Sequence, residues 1–465
     1  MHWGYTMSGM KMGNARMKLL AGAILFCAGG ALATSAMSAT LYGGGATLPA
    51  GGYVGWNFLV DGPSASDPAR LTPTGRVDSG SLFGAWAATT TNAIQYCQTG
   101  SGGGKRVLNG DTSGSPSLTA GGTCADFNGV TPLTGFQITD TNSVQPDFVA
   151  SDAPMSQAEY TTYLNNKGAA HVEPIQFPAL VGSIAMIYNN SDVTATHLAL
   201  TDTMVCKMFS GVWTNWNQLA TDAGVNLGLP SKAIKLVYRS DGSGTSFNFS
   251  NHLAAVCQAS GVTVGGHFDT DQTFVAAAGV ASVTKDLIGF PSTAVGQNGN
   301  PAVANAVAST DGAFGYAETA NAIKQSGTSL KYATVNGKDP VTDLGTSGSF
   351  GVSTPVTDKA ITGVDPLHGT PVLSALTTVP GTANCTLVVD PNTYSQPANG
   401  YPIVAVTYLL ANSHGNGGQL TALRSFLLNP YGAHSGVNTV GAGTGFAFIT
   451  GTGITALKVN GCTAI

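Results

Sequence analysis

Charge is what this chain has least of: only 9% of its 465 residues are Asp, Glu, Lys or Arg. Solubility must therefore rest on Ser, Thr, Asn and the 62 glycines. Basic charge is scarcer than acidic, with 19 Lys and Arg against 24 Asp and Glu. That balance excludes a nucleic-acid binder, which needs a clustered basic surface to neutralise phosphates. Long apolar runs are missing with one exception, "LLAGAILFCAGGALA" near the start, and it is shorter than the ~20 residues a bilayer span requires. Lys11, Arg16 and Lys18 precede it and the small residues "TSAMSA" follow, the three-part pattern of a secretory signal peptide. Residues 1–39 are therefore expected to be removed, with cleavage after Ser38 or Ala39. The exported chain keeps 16 basic and 24 acidic residues, a net charge of −8, and no stable membrane anchor is expected.

Signatures of catalysis and of metal binding are also missing. There is no Gly-x-Ser-x-Gly, and the eight histidines form no H-E-x-x-H, which speaks against nucleophile-elbow hydrolases and zincins. No cofactor or metal is expected. Cys27 leaves with the signal, and the remaining six show no C-x-x-C and no His partners at zinc spacing. An even set in an exported chain reads as disulfides. Six cysteines allow 15 pairings; the sequential one, Cys97–Cys124, Cys206–Cys257 and Cys385–Cys462, keeps each bridge within one region. The rival reading is free buried thiols.

What is present is an alternation of short apolar runs with segments of helical period. "FPALVGSIAMIYN" and "AIKLVYR" predict buried strands, and "SQAEYTTYLNN" and "TSFNFSNHLAAVCQAS" predict helices, which together make an α/β chain. Ser156-Gln157-Ala158-Glu159 is a capping box that marks one helix start. Polar, glycine-rich stretches at 60–90, 106–140 and 335–400 read as surface insertions. No repeat of 20–50 residues is present, which excludes a solenoid.

Four short motifs carry chemistry. In "YRSDGSGTSFNF", Tyr238 to Phe249, a strand ends at Arg239, a glycine turn follows and a helix opens near Thr245. A helix start aims unpaired backbone N–H groups at one point, where anions bind. Ser243 and Thr245 add hydroxyls, and Arg239 adds a fork matched to tetrahedral oxyanions. The plain alternative is a capped helix after a tight turn. "YGGGATLPA", Tyr42 to Ala50, presents Thr47 and Leu48 before another helix start. "TGSGGGKR", Thr99 to Arg106, fails the P-loop pattern twice, with Thr99 at the first Gly and Arg106 at the Ser/Thr position. The plain reading of both is a flexible glycine turn. In "DFVASDAPMS", Asp147 to Ser156, Asp152 follows an apolar strand, at the strand end where open α/β sheets bind ligands; alternatively it is a turn residue before Pro154. A carboxylate suits an anion site of one kind. Hydrogen phosphate has a proton to donate and sulfate does not, so an acceptor-only group rewards the first and penalises the second.

In their order, "GGGATLPA", "TGSGGG", "DFVASDAPMS", "YRSDGSGTSF", "GAFGYAE" (Gly312–Glu318) and "YPIVAVTYLL" (Tyr401–Leu410) resemble the periplasmic phosphate-binding proteins of bacterial phosphate ABC transporters. The extracellular DING branch is nearest in its triple glycine, although Thr40-Leu41-Tyr42 stands where that branch has Asp-Ile-Asn before the glycines. The interval from Ser101 to Asp152 is also longer than in compact relatives. The resemblance implies a two-lobed, type II periplasmic-binding-protein fold of class α/β with the ligand cleft between the lobes. Lobe one would take 40–180 and return for 396–465, and lobe two would take 181–395. It further implies inorganic phosphate as ligand, held by Thr47, the Leu48 amide, Ser101, Arg239, Asp241, Ser243, Gly244 and Thr245. Asp152 would accept the phosphate proton and Asp241 would hold Arg239 in place. An ABC-transporter permease is the implied partner, and the chain is expected to be a monomer, periplasmic or secreted. Two alternatives stand beside capture of phosphate: a secreted phosphomonoesterase, and a matrix or adhesion protein with a vestigial site.

Overall fold

The computed structural model describes residues 38–55, 71–72, 77–111, 145–220, 228–276, 280–325, 329–345, 354–376 and 385–464. Residues 1–37 of the expected signal peptide, and Cys124, lie outside them. A twelve-stranded sheet organises the described residues, and nine of its strands form one continuous path. They are β1 (Thr40–Gly45), β2 (Leu71–Thr72), β3 (Ala93–Gln98), β4 (Phe148–Ser151), β5 (Pro174–Asn189), β6 (Lys235–Arg239), β7 (Val295–Gln297), β8 (Ala313–Glu318) and β9 (Val404–Asn412). Their order is β2-β3-β1-β4-β9-β5-β8-β6-β7.

The path contains two parallel blocks. β1 pairs in parallel with β3 and β4, and β6 pairs in parallel with β7 and β8. Between the blocks lie antiparallel pairs of β4 with β9, β9 with β5 and β5 with β8. All sixteen residues of β5 are buried, as expected of a strand covered on both faces, and this is the apolar run legible in the sequence. Its length lets Pro174–Ser183 pair with β9 while Ile184–Asn189 pair with β8. One strand therefore belongs to both halves of the sheet.

Helices α1 (Ala50–Val54), α2 (Leu82–Thr90), α3 (Ser101–Asn109), α4 (Gln157–His171), α5 (Asp202–Phe209), α6 (Gly244–Val256) and α7 (Gly299–Ala308) pack around this sheet. The capping box at Ser156 and Glu159 is formed, and α4 runs beyond the segment the pattern marked. Aromatics make up only 8% of the chain, yet they gather in two clusters. Tyr53, Phe83, Tyr96, Phe148 and Phe426 pack together in one half; Phe209, Phe249, Phe274 and Tyr316 do so in the other. Each such side chain contributes about 1.5–3 kcal/mol when buried.

Disulfides Cys206–Cys257 and Cys385–Cys462 are formed, each with Cα atoms 5.6 Å apart. Cys97 is disulfide-bonded too. The stretch 335–400, read as an insertion, carries two antiparallel ribbons: Val356–Thr357 with Leu387–Val388, and Lys359–Val364 with Pro371–Ala375.

Candidate functional site

The "TGSGGGKR" motif is where the glycine-turn reading fails. Ser101 opens α3 and three glycines form its first turn. Glycine costs about 1 kcal/mol relative to alanine inside a helix, so a steric reason is needed. A Cβ on Gly102 would lie 3.0 Å from the Cα of Gly242, and one on Gly104 would lie 2.7 Å from the Cα of Gly45. Only a helix edge without side chains can approach both neighbours, and the Gly102 N–H donates to the Gly242 carbonyl at 2.8 Å.

Each expected site residue stands at a strand's carboxyl end or at a helix start. Thr47 and Leu48 lie in the turn between β1 and α1, Ser101 starts α3 after β3, and Asp152 follows β4. From the other half, Arg239 ends β6 and Ser243 caps α6, whose first residues are Gly244 and Thr245. All of these are buried except Asp241, which is partly so.

Arg239 is 1% exposed. Its Nε donates to Asp241 Oδ1 at 2.6 Å and its Nη2 to Asp241 Oδ2, a two-pronged pair that fixes the guanidinium plane. The Gly299 N–H, at the start of α7, donates to Asp241 Oδ1 at 3.0 Å. Arg239 is also anchored through its backbone, since its N–H donates to the Tyr316 hydroxyl at 3.1 Å. That leaves Nη1, which donates to Thr47 Oγ1 at 3.2 Å and Thr245 Oγ1 at 3.3 Å.

Asn300 completes the arrangement, and no sequence motif singled it out. It is fully buried on the first turn of α7, and its Nδ2 donates to Thr47 Oγ1 at 3.2 Å and to Thr245 Oγ1 at 3.1 Å. A hydroxyl has two lone pairs and one hydrogen. Both lone pairs of each threonine are thus committed, to Arg239 and to Asn300. What each has left to offer is a donor. The signal that could have found Asn300 is "GQNGNPAV", another strand, glycine turn and helix start with Pro301 in the first turn, where a missing N–H is tolerated.

Asp152 has the opposite character. The Ser101 hydroxyl donates to its Oδ2 at 3.2 Å, and its own backbone N–H donates back to Ser101 Oγ at 3.0 Å. Its Oδ1 is buried without a hydrogen-bond partner. Burial pushes the carboxyl up to about 7, opposed by the Ser101 hydrogen bond and by the charges of Arg239 and Lys105. Lys105, on α3, donates to Glu159 Oε2 at 2.9 Å and to the Pro154 carbonyl at 3.3 Å, which holds the loop that carries Asp152. Asn248, on α6, reaches across to the Asp152 carbonyl at 2.6 Å. Ser243 Oγ accepts the Ser246 N–H at 3.1 Å; this serves as the helix cap of the plainer reading and leaves its hydrogen to donate. Chemically the site offers several aligned donors and one buried acceptor that can take a proton near neutrality.

The family model for the PBP superfamily domain matches residues 62–430. The chain belongs to the PBP superfamily. Alkaline phosphatase L of Pseudomonas aeruginosa strain UCBPP-PA14 is 30% identical to it over 65% of this chain and 71% of its own length. Phosphate-binding protein PstS3 of Mycobacterium bovis strain BCG is 30% identical over 64% of this chain and 69% of its own. The solved structure of PfluDING, a high-affinity periplasmic phosphate-binding protein bound with phosphate, superposes with a TM-score of 0.57 at 22% identity. It covers 90% of this chain and 92% of that one. The PBP-like, mixed α/β fold expected from the sequence is therefore the fold observed. No described helix is long and apolar enough to cross a membrane. Among the described residues one other set of ligating groups, His267, Asp269 and Asp286, comes together, and it shares no residue with this site.

Proposed function

We propose that this protein captures inorganic phosphate, without chemistry, between the two halves of its sheet. The observation that carries this is the division of labour in the site. The hydroxyls of Thr47 and Thr245, each accepting from Arg239 and Asn300, present donors, while the carboxylate oxygen Asp152 Oδ1 is buried without a partner. A monohydrogen phosphate ion matches that combination, because its bare oxygens accept hydrogen bonds and its protonated oxygen donates one. The Leu48 amide, Ser101 and the start of α6 through Ser243, Gly244 and Thr245 supply the remaining donors. Similarity to proteins named for phosphate binding supports the same ligand.

On this reading the lobes are residues 40–180 with 396–465, and residues 181–395, with β5 as the strand that runs from one into the other. Residues 1–39 act as an export signal, and the mature chain works as a monomer in the periplasm or outside the cell. There it delivers phosphate to a permease or scavenges it.

One contact favours a second reading, phosphomonoester hydrolysis. The Ser101 hydroxyl lies 3.2 Å from a carboxylate able to hold a proton near neutrality, and three relatives, all of Pseudomonas aeruginosa, are named alkaline phosphatase L. Isothermal titration of the purified protein with phosphate, together with a phosphatase assay on the same sample, separates the two. Saturable binding at one site without turnover is expected; turnover of a phosphomonoester that is lost in Ser101→Ala would replace capture by catalysis.

A further inference from the structure

A cluster of ligating side chains apart from the site described above lies in the segment that connects α6 to β7. Residues 264–269 and 283–288 of this segment run side by side. Gly266 N–H donates to the Asp286 carbonyl at 2.8 Å, Asp269 N–H to the Val283 carbonyl at 3.0 Å, and Ile288 N–H to the Val264 carbonyl at 3.1 Å. This backbone ladder places three side chains together: one ligand atom each from His267, Asp269 and Asp286, all within 4.8 Å of one another.

The distances and the burial of the groups point to what they hold. His267 Nε2 lies 3.1 Å from Asp269 Oδ1 and 3.4 Å from Asp286 Oδ2. Yet His267 Nε2 and Asp269 Oδ1 are buried atoms that make no hydrogen bond, so the short approach between them lacks hydrogen-bond geometry. The Asp269 side chain is only 5% exposed, and a buried polar atom without a partner is costly. Nitrogen and oxygen ligands at the ordinary bond lengths of zinc sit roughly 3.0–3.4 Å from one another around the ion. The two measured separations match edges of such a coordination shell. One neutral imidazole with two carboxylates balances a doubly charged cation; the imidazole favours zinc over calcium or magnesium, and the two carboxylates also suit manganese. Lys285 approaches the outer oxygen of Asp269, Oδ2, at 3.8 Å with a half-exposed side chain; it leaves Oδ1 free to ligate.

The geometry points to a binding site for one divalent transition-metal ion, of the zinc or manganese class, formed by His267, Asp269 and Asp286. The ion fastens the two stretches of this segment to each other. Three residues after Asp269, the Gln272 carbonyl accepts the Ser243 N–H at 3.0 Å, so the segment fastened by the ion also holds the cap of α6. The site does not depend on the phosphate reading, because it uses none of the same residues.

The test uses the purified chain, stripped with a chelator and kept in phosphate-free buffer. Zn²⁺ and Mn²⁺ are titrated calorimetrically and bound metal is counted by elemental analysis after dialysis. The expected result is roughly one equivalent bound, a rise in Tm with metal, and an affinity lower by about tenfold or more in His267→Gln and in Asp286→Asn. Asp286 is partly exposed, so its asparagine variant keeps the fold, as circular dichroism will verify, even where His267→Gln does not. Failure of the wild type to bind either ion, or equal binding and equal Tm gain in folded Asp286→Asn, would overturn the site.

Discussion

Arg239 and Asn300 act on the same two hydroxyls, and their variants should fail for different reasons. Arg239→Ala removes a charged donor and should cost at least ~1.5–3 kcal/mol of phosphate affinity, the range for hydrogen bonds to charged groups. Arg239→Lys should recover only part of this, because an ammonium cannot engage Asp241 with two prongs and still reach both threonines. Wild-type affinity in the alanine variant, measured by calorimetry, would remove Arg239 from the site. Asn300→Ala frees one lone pair on each threonine and should weaken binding by about 1 kcal/mol. Asn300→Asp should weaken it further, since an acceptor-only group captures the hydroxyl hydrogens meant for the anion and adds like charge. If the two variants bind alike, the threonines do not act as donors. Arg239, Thr245 and Asp241 were legible in the sequence because they fall within seven residues around one glycine turn. Asn300 was not, because it meets Thr47 across 253 positions of chain and its motif looks like any capped helix. Tyr316 and Asn248 escaped for the same reason: their roles lie in contacts made at long range.

At the scale of elements, the site is a meeting of helix starts, and its tolerance for side chains is small. A Cβ on Gly244 would lie 2.5 Å from the Asp152 Cβ and against Ser101 Oγ, so Gly244→Ala should keep α3 and α6 from closing on each other. Phosphate affinity is expected to fall by about tenfold or more, the scale of one to two lost hydrogen bonds. The Tm of the ligand-free protein should fall as well, because the clash is present without ligand and outweighs the helix preference of alanine. A large loss of Tm with unchanged affinity would place the clash elsewhere. The sequence showed β5, β6, α4 and α6, since period and capping are local. It misread α3, because the glycines that look like a turn are there to let backbones touch, a demand set by neighbours that the segment itself does not contain. The same limit hid the metal-ligating set: His267 and Asp269 are two positions apart, but Asp286 joins them only through the ladder.

For the whole molecule, Asp152 links binding to stability. Its carboxyl is near its ordinary value when unfolded and is pushed up to about 7 by burial when folded. Below pH ~4 both states are protonated and the group contributes nothing. As pH rises from ~4 to ~7 the unfolded chain loses its proton while the folded one keeps it, so folding loses stability over that window. The loss is on the order of 4 kcal/mol and is complete above ~7. In phosphate-free buffer, Asp152→Asn should therefore gain stability over wild type as pH rises through this window, with no gain at pH 4. Taking the difference between the two proteins cancels other buried acids such as Glu318, which is also pushed up by burial. A difference independent of pH would mean Asp152 is ionised in the folded protein. The disulfides act on the same scale, each adding about 2–4 kcal/mol by constraining the unfolded chain. Mass spectrometry of the unreduced protein should recover peptides joined at Cys97–Cys124 beside the two bridges observed, and a crossed pair would refute that third link.

Selectivity between two tetrahedral anions tests phosphate capture most directly. Competition titrations of phosphate and sulfate against wild type and Asp152→Asn, at one ionic strength and one pH well above the value of about 7 to which burial pushes Asp152, so that its carboxylate is ionised, measure the affinity ratio. Wild type should reject sulfate by tenfold or more, because an unpaired buried charge costs more than the ~1–3 kcal/mol of a neutral unsatisfied group. In Asp152→Asn an amide N–H replaces one acceptor oxygen, so sulfate should gain on phosphate and the ratio should shrink. An unchanged ratio would show that Asp152 never meets the ligand's proton, and the site would have to be something other than a phosphate receptor of this design.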